Sequence, residues 1–402
     1  MASTGPRRVS PSGEDDQLVS ETVRGMRRSG IREIMDLAAR GSDVLHLEIG
    51  EPDFPTPSHV IDAAMESMRH GHVKYTLSRG IAPLREAIAE KLHARNGIDA
   101  ATDDVVVTTG GTTAVFEAML VMLRPGDGVL IPDPGWPSFE MIVTLLRGRP
   151  LRYRLDRSAA YRPDLDQVSS LAGEARFLVL NSPSNPTGAL LDRSELERLL
   201  AVAETHDLIV VSDEVYEDIV HEGEHVSPAA LGSEAPVVST FSFSKGYAMT
   251  GWRIGYLTGP RGFVEAVVKA QEAVVACPSS VAQHAALAAL TGTQDCVAEM
   301  RGEYRRRRDH AVELLRSGDM LISVPRGAFY VMADVTRAGL DTHRIAERLL
   351  LDHGVAVAPG ETFGDEGAGT VRLSLASTLP VIEAGIGRIG AALANWAGRP
   401  PA

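Results

Sequence analysis

The segment from Ser242 to Arg253 contains the residues best suited to covalent chemistry. It reads Ser-Phe-Ser-Lys-Gly-Tyr-Ala-Met-Thr-Gly-Trp-Arg, so Lys245 lies among small hydroxyl and glycine residues, with an arginine eight positions later. A nearby cation disfavours the ammonium form of a lysine, and the neutral amine can form a Schiff base with a carbonyl. Taken alone, Lys245 is equally compatible with a solvated loop lysine. The other motifs of the chain have to decide between the two interpretations.

The turn Gly110-Gly111-Thr112 has the composition of an anion-binding site. It follows a β-branched strand predicted from Val105 to Val107 and precedes a helix predicted from about Thr113 to Leu123. Glycines let backbone amides approach a phosphate, and a helix N-terminus adds partial positive charge. Glycine turns between strands and helices are also common for steric reasons, so this turn is weak evidence by itself.

Two further loops carry side chains that suit ligand binding. Trp136 lies between prolines, after a strand predicted from Val129 to Ile131, and its ring could stack on a ligand or belong to the core. Asn185 lies in the loop Asn-Ser-Pro-Ser-Asn-Pro-Thr-Gly, after a strand predicted from Phe177 to Leu180. The prolines stiffen this loop, and the Asn185 amide can donate to a ligand oxygen.

A carboxylate and a phenol follow the apolar run from Leu208 to Val211. Asp213 comes at the end of this predicted buried strand, where a carboxylate is costly unless a cation pairs with it. Tyr216 follows three residues later, within reach of the same pocket. An amine nucleophile, a carboxylate that needs a cation, a stacking ring, amide and phenol donors and a phosphate site together match pyridoxal 5′-phosphate.

These motifs require a scaffold that brings strand ends together. Strands alternate with helical stretches through the middle of the chain, which predicts a mostly parallel sheet covered on both faces, of a seven-stranded type. Ligands of such sheets bind at the carboxyl ends of the strands, where the polar motifs lie. After about Gly292 the pattern changes. Helices are predicted at 294–315, 342–353 and 381–396, and strands at 328–332, 355–358 and 371–375.

The predicted α/β chain therefore has a large domain and a smaller α+β domain made from both termini. The predicted limits are a disordered tail at 1–20, the N-terminal part of the small domain at 21–57, the large cofactor-binding domain at 58–292, and the connecting helix with the C-terminal small domain at 293–400. The N-terminal segment contributes a weak helical pattern from Ser20 to Ala39 and a strand predicted from Val44 to Ile49.

Composition excludes several function classes. The net charge of −13 over 402 residues makes nucleic acid an unfavourable partner, and the run Arg305 to Arg308 is interpreted as a solvated helix face. Two cysteines without a CxxC or Cys/His cluster predict neither a disulfide framework nor a metal site, and they fit a cytoplasmic protein. No secretory signal and no apolar run of about 18 residues occurs, so no membrane association is predicted.

The motifs together resemble those of the class I/II pyridoxal-phosphate aminotransferases of fold type I, in the aspartate/aromatic aminotransferase branch. The resemblance extends from about Arg24 to the last helix and rests on Ser-Phe-Ser-Lys…Met-Thr-Gly-Trp-Arg-Ile-Gly, Asn-Pro-Thr-Gly, Asp-Glu-Val-Tyr and the late Arg-Leu-Ser at 372–374. It implies that Lys245 forms the Schiff base, Asp213 binds the ring nitrogen, Asn185 and Tyr216 bind the phenolic oxygen and Trp136 stacks on the ring. It also implies that the phosphate is held by Gly110, Gly111, Thr112, Ser242, Ser244 and Arg253.

The resemblance also implies substrate contacts. Arg372 resembles the arginine that binds the substrate α-carboxylate in a two-pronged pair, the Gly50 amide would serve the same carboxylate, and Ile31 would line the side-chain pocket. Tyr75 resembles a tyrosine that reaches the phosphate of the neighbouring subunit, which implies a homodimer with shared active sites.

Substrate choice stays open in the sequence. Dicarboxylate-preferring relatives can carry a lysine after the glycine pair, where this chain has Thr112. Arg79 or Arg32 could supply the missing cation, although a surface or structural ion pair is the simpler interpretation of either residue.

The implied reaction moves the amino group of an L-amino acid to a 2-oxo acid, such as 2-oxoglutarate, oxaloacetate or pyruvate. Lys245 acts as Schiff-base lysine and general base, and ping-pong kinetics are expected. A pyridoxal-phosphate β-lyase that cleaves cysteine conjugates is the alternative, because it would use the same cofactor set. A non-catalytic regulator would carry a DNA-binding domain in front, but only about 20 residues precede the first predicted helix.

Overall fold

The computed structural model describes residues 18–26, 28–41 and 43–396. The predicted disordered tail 1–20 lies outside these ranges except for its last three residues. The α-helices are α1 Glu21–Gly25, α2 Gly30–Ala38, α3 Ser58–Arg69, α4 Ala82–Lys91, α5 Gly111–Met122, α6 Pro137–Leu145, α7 Leu165–Ala172, α8 Arg193–Thr205, α9 Phe243–Gly246, α10 Arg261–Val274, α11 Ser280–Thr291, α12 Asp295–Ser317, α13 Thr342–His353 and α14 Leu379–Trp396. The strands are β1 Leu45–His46, β2 Val105–Thr108, β3 Gly128–Asp133, β4 Arg149–Asp156, β5 Arg162–Pro163, β6 Phe177–Asn181, β7 Ile209–Asp213, β8 Val237–Ser242, β9 Gly255–Thr258, β10 Tyr330–Asp334, β11 Val355–Ala356, β12 Ala358–Pro359 and β13 Thr370–Ser374.

The large sheet has eight strands in the order β2-β9-β8-β7-β6-β3-β4-β5. Its centre, from β8 to β4, is parallel, whereas β9 runs antiparallel to both of its neighbours and the two-residue β5 runs antiparallel to β4. This arrangement confirms the predicted α/β fold with a mostly parallel sheet.

Strand β6 shows why both faces of the sheet are buried. Phe177 and Val179 pack into one hydrophobic cluster, and Leu178 and Leu180 pack into another on the opposite face. Side chains alternate across a strand, so an uninterrupted apolar run of this kind needs helices on both sides. Asn181, the last residue of β6, is paired in register with Asp213 at the end of β7. The first polar groups after the apolar runs therefore lie side by side at one edge of the sheet.

The smaller domain combines the two ends of the chain, as predicted. Strands β10, β13 and β12 form an antiparallel sheet, and β1 pairs with β11. Ile34 and Leu47 from the N-terminal segment share a buried apolar cluster with Leu315, Val331 and Ile389. The exact limits predicted for the domains stay predictions.

Several local predictions were incomplete or wrong. The strand predicted from Val44 to Ile49 is only two residues long. Besides the two-residue β5 and the one-turn α9, six elements that the sequence did not indicate are present, namely α6, β4, α7, β9, α10 and α11. The motif Ser194-Glu195-Leu196-Glu197 predicts a capping box that begins at Ser194, which is two residues too late. The cap is Asp192, which accepts from the Glu195 amide at 3.0 Å, while the Glu195 carboxylate accepts from the Asp192 amide at 2.8 Å. A carboxylate caps a helix as well as a hydroxyl does.

The arginine run 305–308 was also misread as a solvated face. Arg307 and Arg308 are only 4% and 2% exposed. Arg307 pairs with Asp53, and Arg308 donates to Glu222 at 2.6 Å. Their partners come from distant parts of the chain, so the local pattern could not reveal the burial.

No helix within the described ranges is long and apolar enough to cross a membrane. No group of three or more metal-ligating side chains occurs there either, and both cysteines are free.

Candidate active site

A cavity of about 720 Å³ opens where β6, β7 and β8 end and the small domain meets the large one. All but two of the predicted site residues line it: Ile31, Gly50, Gly111, Thr112, Trp136, Asn185, Asp213, Tyr216, Ser242, Ser244, Lys245, Arg253 and Arg372. The fold thus brings residues from five separate loops and from the N-terminal helix α2 into one pocket.

Lys245 lies on the one-turn helix α9, directly after β8. Its Nζ donates to the Gly50 carbonyl oxygen, which joins the large domain to the N-terminal segment. Burial, together with the nearby cations Arg372 and Arg253, lowers the pKa of Lys245 to about 8. The sequence indicated Arg253 as the cause, but burial and Arg372 contribute more.

Asp213 is a buried carboxylate with no salt bridge to any described residue. It is 3% exposed, and its Oδ1 accepts from the Val215 amide at 3.3 Å. Burial raises its pKa to about 7, and Lys245 only partly opposes this effect. A cation placed against Asp213 would therefore be bound strongly, because it would restore the ionised carboxylate.

Asn185 is oriented by its neighbours. Its backbone amide donates to Asn181 Oδ1 at 2.8 Å, and its own Oδ1 accepts from Arg372 Nη1 at 2.9 Å. A guanidinium can only donate, so the oxygen of Asn185 must face Arg372. The Nδ2 donors are then left for an acceptor in the cavity.

Arg372 is a buried cation without a carboxylate partner among the described residues. It lies on β13, is 2% exposed, and donates to Asn185 and to the Glu48 carbonyl oxygen. The guanidinium lies 4.2 Å from the Tyr330 ring centroid and 5.0 Å from that of Phe363, and its Nε has no hydrogen-bond partner. Burial lowers its pKa. Such a group is suited to an anionic ligand that accepts two parallel hydrogen bonds.

The opposite end of the cavity is formed by the N-terminus of α5 and the loop after α9. Gly110 has φ of +92°, and a Cβ added to it would lie 2.7 Å from Arg253 Nη2. A Cβ on Gly111 would lie 2.9 Å from Val215 Cγ1. No side chain caps α5, so its first amides are available to an anion beside the guanidinium. Gly110 itself does not line the cavity, but it allows Arg253 to approach this helix end.

Three hydroxyl-bearing residues complete this anion-binding end. Ser242 Oγ accepts from the Ser244 amide at 3.1 Å, and both residues line the cavity. Thr112 lies in the first turn of α5 and also faces the cavity. Arg253 is held by donation from Nη1 to the Thr250 carbonyl oxygen at 2.8 Å.

The walls are apolar at two positions. Trp136 immediately precedes α6 and makes an edge-to-face contact with Phe139 at 5.3 Å between ring centroids. Ile31 lies in the first turn of α2. Gly30, the first residue of this helix, packs so closely on Thr362 and His343 that a side chain at position 30 would overlap them. The close approach of α2 to the small domain places Ile31 at the cavity.

Arg79 and Arg32, the two arginines that could supply a cation for a second substrate carboxylate, lie in different places relative to the cavity. Arg79 lies outside the cavity and donates to Glu265 at 2.9 Å. Arg32 lines the cavity, and its side chain has no hydrogen bond or ion pair with any residue that the structure describes. Its neighbour Arg28 also lines the cavity but pairs with Asp36 at 2.8 Å.

Tyr75 is a predicted site residue that lies away from the cavity in this single chain. It is 91% exposed and does not line the cavity. Its contact with a neighbouring subunit stays a prediction.

Tyr330 is the main residue that sequence reasoning missed. It lines the cavity, and its hydroxyl lies 2.7 Å from that of Tyr216. The sequence offered one signal, an aromatic residue with a polar tip inside a predicted strand. The wall also includes Asn181 and Glu51, which were not predicted as ligand-binding residues.

Comparison with known proteins identifies the family. The family described as aminotransferase class I and II matches residues 42–389. The chain is 36% identical to the probable aspartate aminotransferase of Methanocaldococcus jannaschii, over 92% of this chain and 99% of that protein. It is 38% identical to the aspartate/prephenate aminotransferase of Thermus thermophilus, over 90% of this chain and 94% of that protein. The structure of the Thermus thermophilus aspartate aminotransferase with maleate superimposes with a TM-score of 0.88, at 37% identity, over 93% of this chain and 99% of that one.

The chain therefore belongs to the class I and II aminotransferases and is a transaminase that uses pyridoxal 5′-phosphate. The residues present fit this cofactor. Asp213 lacks the cation that the ring nitrogen would provide, and the uncapped helix end beside Arg253 suits the phosphate. Asn185 offers Nδ2 donors for the phenolic oxygen, and Lys245 is a partly deprotonated amine.

Proposed function

We propose that this cavity transfers the amino group of an L-amino acid to a 2-oxo acid such as 2-oxoglutarate, oxaloacetate or pyruvate, in a ping-pong reaction. The observation that carries the proposal is the environment of Lys245. Its amine, with a pKa lowered to about 8, lies in one cavity with the Asp213 carboxylate and the Arg372 guanidinium, neither of which has an ion pair with a described residue. These three groups match an aldehyde, a ring nitrogen and an α-carboxylate.

Each cofactor contact has a structural basis. When bound, pyridoxal phosphate supplies a carbonyl that can be held by Lys245 and a protonated ring that withdraws electrons from the substrate Cα. Asp213 would keep the ring nitrogen protonated, Trp136 would pack against the ring, and Asn185 Nδ2 and the Tyr216 hydroxyl would donate to the phenolic oxygen. The phosphate would be held by the α5 N-terminus with Gly110, Gly111 and Thr112, and by Ser242, Ser244 and Arg253.

Proton transfer at the substrate Cα is assigned to Lys245. A pKa of about 8 leaves about a tenth of such amines neutral at pH 7, whereas an ordinary lysine would be almost fully protonated. Arg372 holds the α-carboxylate through its two nitrogens, with the Gly50 amide alongside, and so fixes the position of Cα. Once protonated, Lys245 Nζ would hold this proton inside the cavity, beside the bound cofactor and substrate.

Replacing Lys245 by alanine tests the proposal directly. The variant should lose both the visible absorbance of the cofactor-loaded protein and turnover, because the covalent attachment and the base are removed together. Lys269→Ala, an exposed lysine on α10, is the matched control and should behave like the wild type. Full turnover by the Lys245 variant would overturn the assignment.

The alternative β-lyase reaction is separated by a product assay. Purified protein is given a panel of amino acids and a cysteine conjugate, with and without 2-oxoglutarate or pyruvate. Transamination requires the 2-oxo acid and yields a new amino acid. Release of pyruvate and ammonia without an acceptor would instead support the lyase.

The proposal includes dicarboxylic amino acids among the substrates, with Arg32 as the side-chain cation. The cationic residues that line the cavity are Arg28, Arg32, Lys245, Arg253 and Arg372. Arg28 is paired, and the last three serve the cofactor and the α-carboxylate, so Arg32 is left for a second carboxylate. The names of the relatives, which include aspartate aminotransferases, support this choice.

Arg32→Gln should lower kcat/KM for aspartate and glutamate by about 10- to 100-fold, since a charge-assisted hydrogen bond is lost. Phenylalanine and alanine should be little affected. Arg28→Gln, at the same rim but in an ion pair, is the control. If the ratio of kcat/KM for acidic substrates to kcat/KM for neutral substrates is unchanged in the Arg32 variant, Arg32 does not bind the side-chain carboxylate. The transaminase assignment would not be affected.

We also infer a cytoplasmic homodimer with shared active sites. The surface around Tyr75 is unusually apolar for an exposed segment, with Val73 and Leu77 more than half exposed beside it. Light scattering should give twice the chain mass. Tyr75→Phe should weaken cofactor phosphate binding in the dimer, whereas a monomer that is fully active would contradict the shared site.

A further inference from the structure

Tyr216 and Tyr330 form a buried pair of phenols that joins the two domains. Tyr216 follows β7 of the large domain and Tyr330 begins β10 of the small domain. Their hydroxyl oxygens are 2.7 Å apart, and both residues are at most 3% exposed. The rings meet edge to face, with centroids 5.6 Å apart and an interplanar angle of 78°. One of the two hydroxyls must donate to the other.

The surroundings of Tyr330 limit what its hydroxyl can do. The Arg372 guanidinium covers one part of its ring at 4.2 Å, and Phe329 packs on it with centroids 4.9 Å apart. The hydroxyl is so close to Gly50 that a Cβ at that glycine would overlap it. Tyr216 is the only hydrogen-bond partner of this hydroxyl among the described residues.

The direction of the hydrogen bond follows from the position of the cation. A guanidinium over the Tyr330 ring draws electron density from it and makes its O–H the stronger donor. Burial raises the pKa of both phenols, and Arg372 opposes this rise. Tyr330 then donates to Tyr216, and the proton of Tyr216 is free to point into the cavity.

We propose that Tyr330 is a positioning residue, whose hydroxyl donates to Tyr216 and thereby directs the Tyr216 proton toward the phenolic oxygen of the cofactor. This inference rests on the proposed function, because it concerns the same cofactor site. A phenol that accepts a hydrogen bond becomes a better donor itself, by about 10–30%. The small domain thus contributes to the reactive end of the cofactor through Tyr330 as well as through Arg372.

The consequence is a shift in the pH at which the absorbance of the loaded protein titrates. Negative charge on the phenolic oxygen of the cofactor stabilises the proton on the neighbouring Lys245 nitrogen. A hydrogen-bond donor at this oxygen reduces the negative charge and so weakens that stabilisation. A strong donor therefore lets the proton leave at lower pH. The other charged groups that act on Lys245 are Arg372, Glu51, Arg253 and Asp213, and all of them are unchanged by removal of the Tyr330 hydroxyl.

The test compares tyrosine-to-phenylalanine variants of the cofactor-loaded protein. Tyr330→Phe should raise the midpoint of the absorbance titration by about 0.3 to 1 pH unit, within the worth of one hydrogen bond. Tyr216→Phe should raise it at least as much, and the double variant should match Tyr216→Phe alone because Tyr330 acts through Tyr216. Tyr304→Phe is the control, because Tyr304 is buried beside Phe329 and its hydroxyl has no hydrogen-bond partner.

Two results would overturn the inference. One is a Tyr330→Phe titration identical to that of the wild type in a protein with normal circular dichroism. The other is a full Tyr330→Phe shift added to that of Tyr216→Phe. A wild-type protein that shows no cofactor absorbance would instead contradict the proposed function.

Discussion

The cavity and the long helix α12 both bury charge, but they do so in opposite ways. On α12, Arg307 binds both carboxylate oxygens of Asp53, at 2.7 and 2.9 Å, and donates from Nε to Glu303 at 2.8 Å. In the cavity, Asp213 and Arg372 are as deeply buried but neither has a salt bridge within the described ranges. Paired buried charges hold a fold together, whereas unpaired ones cost stability and can be retained for a ligand. The comparison separates a structural cluster from a binding site without reference to family.

The largest expected contrast is in activity. Asp213→Ala should lower kcat/KM by about 1,000-fold, because the ring nitrogen loses the carboxylate that keeps it protonated. Asp53→Ala removes a carboxylate of the α12 cluster and should leave the chemistry of the bound cofactor largely intact. Steady-state rates with saturating cofactor measure both. A similar loss of kcat/KM in the two variants would show that the cavity carboxylate is no more important for the reaction than the carboxylate paired with α12.

A matched pair of arginine variants tests stability. Arg307→Leu leaves Asp53 without its cation and removes one of the two arginines that bind Glu303, so it should lower the free energy of unfolding by about 2 to 4 kcal/mol. Arg372→Leu leaves no carboxylate unpaired and should cost at least about 1 kcal/mol less, while KM for amino acids rises strongly. Urea unfolding of the cofactor-free proteins gives the comparison. An equal loss of stability would mean that Arg372 is as structural as Arg307.

A further contrast is expected in the dependence of stability on pH. Burial raises the pKa of Asp213 to about 7, so between about pH 4 and 7 the folded cofactor-free protein binds a proton that the unfolded chain has released. Stability should therefore fall as pH rises through this window, by up to about 4 kcal/mol. Glu303 acts in the opposite sense, since hydrogen bonds from Arg306 and Arg307 lower its pKa and its contribution is lost as pH falls.

Asp213→Asn isolates that contribution. Its unfolding free energy, measured across pH 4 to 7 without cofactor, should lack the decline seen in the wild type. Loading the wild type with cofactor should remove the same slope, because the ring cation keeps Asp213 ionised. Parallel curves for the two cofactor-free proteins would show that Asp213 does not titrate in this range.

The sequence by itself determined the fold class and indicated many of the residues that line the cavity. Apolar runs that end in Asn181, Asp213 and Ser242 are local patterns, and strand alternation converts them into polar groups at one edge of a buried sheet. The glycines before α5 and the lysine after β8 are equally local. The six missed elements lack such signals: β4 is partly exposed and irregular in pattern, and β9 is a short antiparallel strand.

Only the tertiary structure decided which charges meet. The burial that lowers the pKa of Lys245, the contribution of Arg372 to it, and the phenol pair of Tyr216 and Tyr330 all depend on the small domain. The same holds for the different positions of Arg32 and Arg79, one in the cavity and one in an ion pair. Coulomb energy and desolvation depend on distance through space and on the surrounding atoms, which spacing along the chain does not encode.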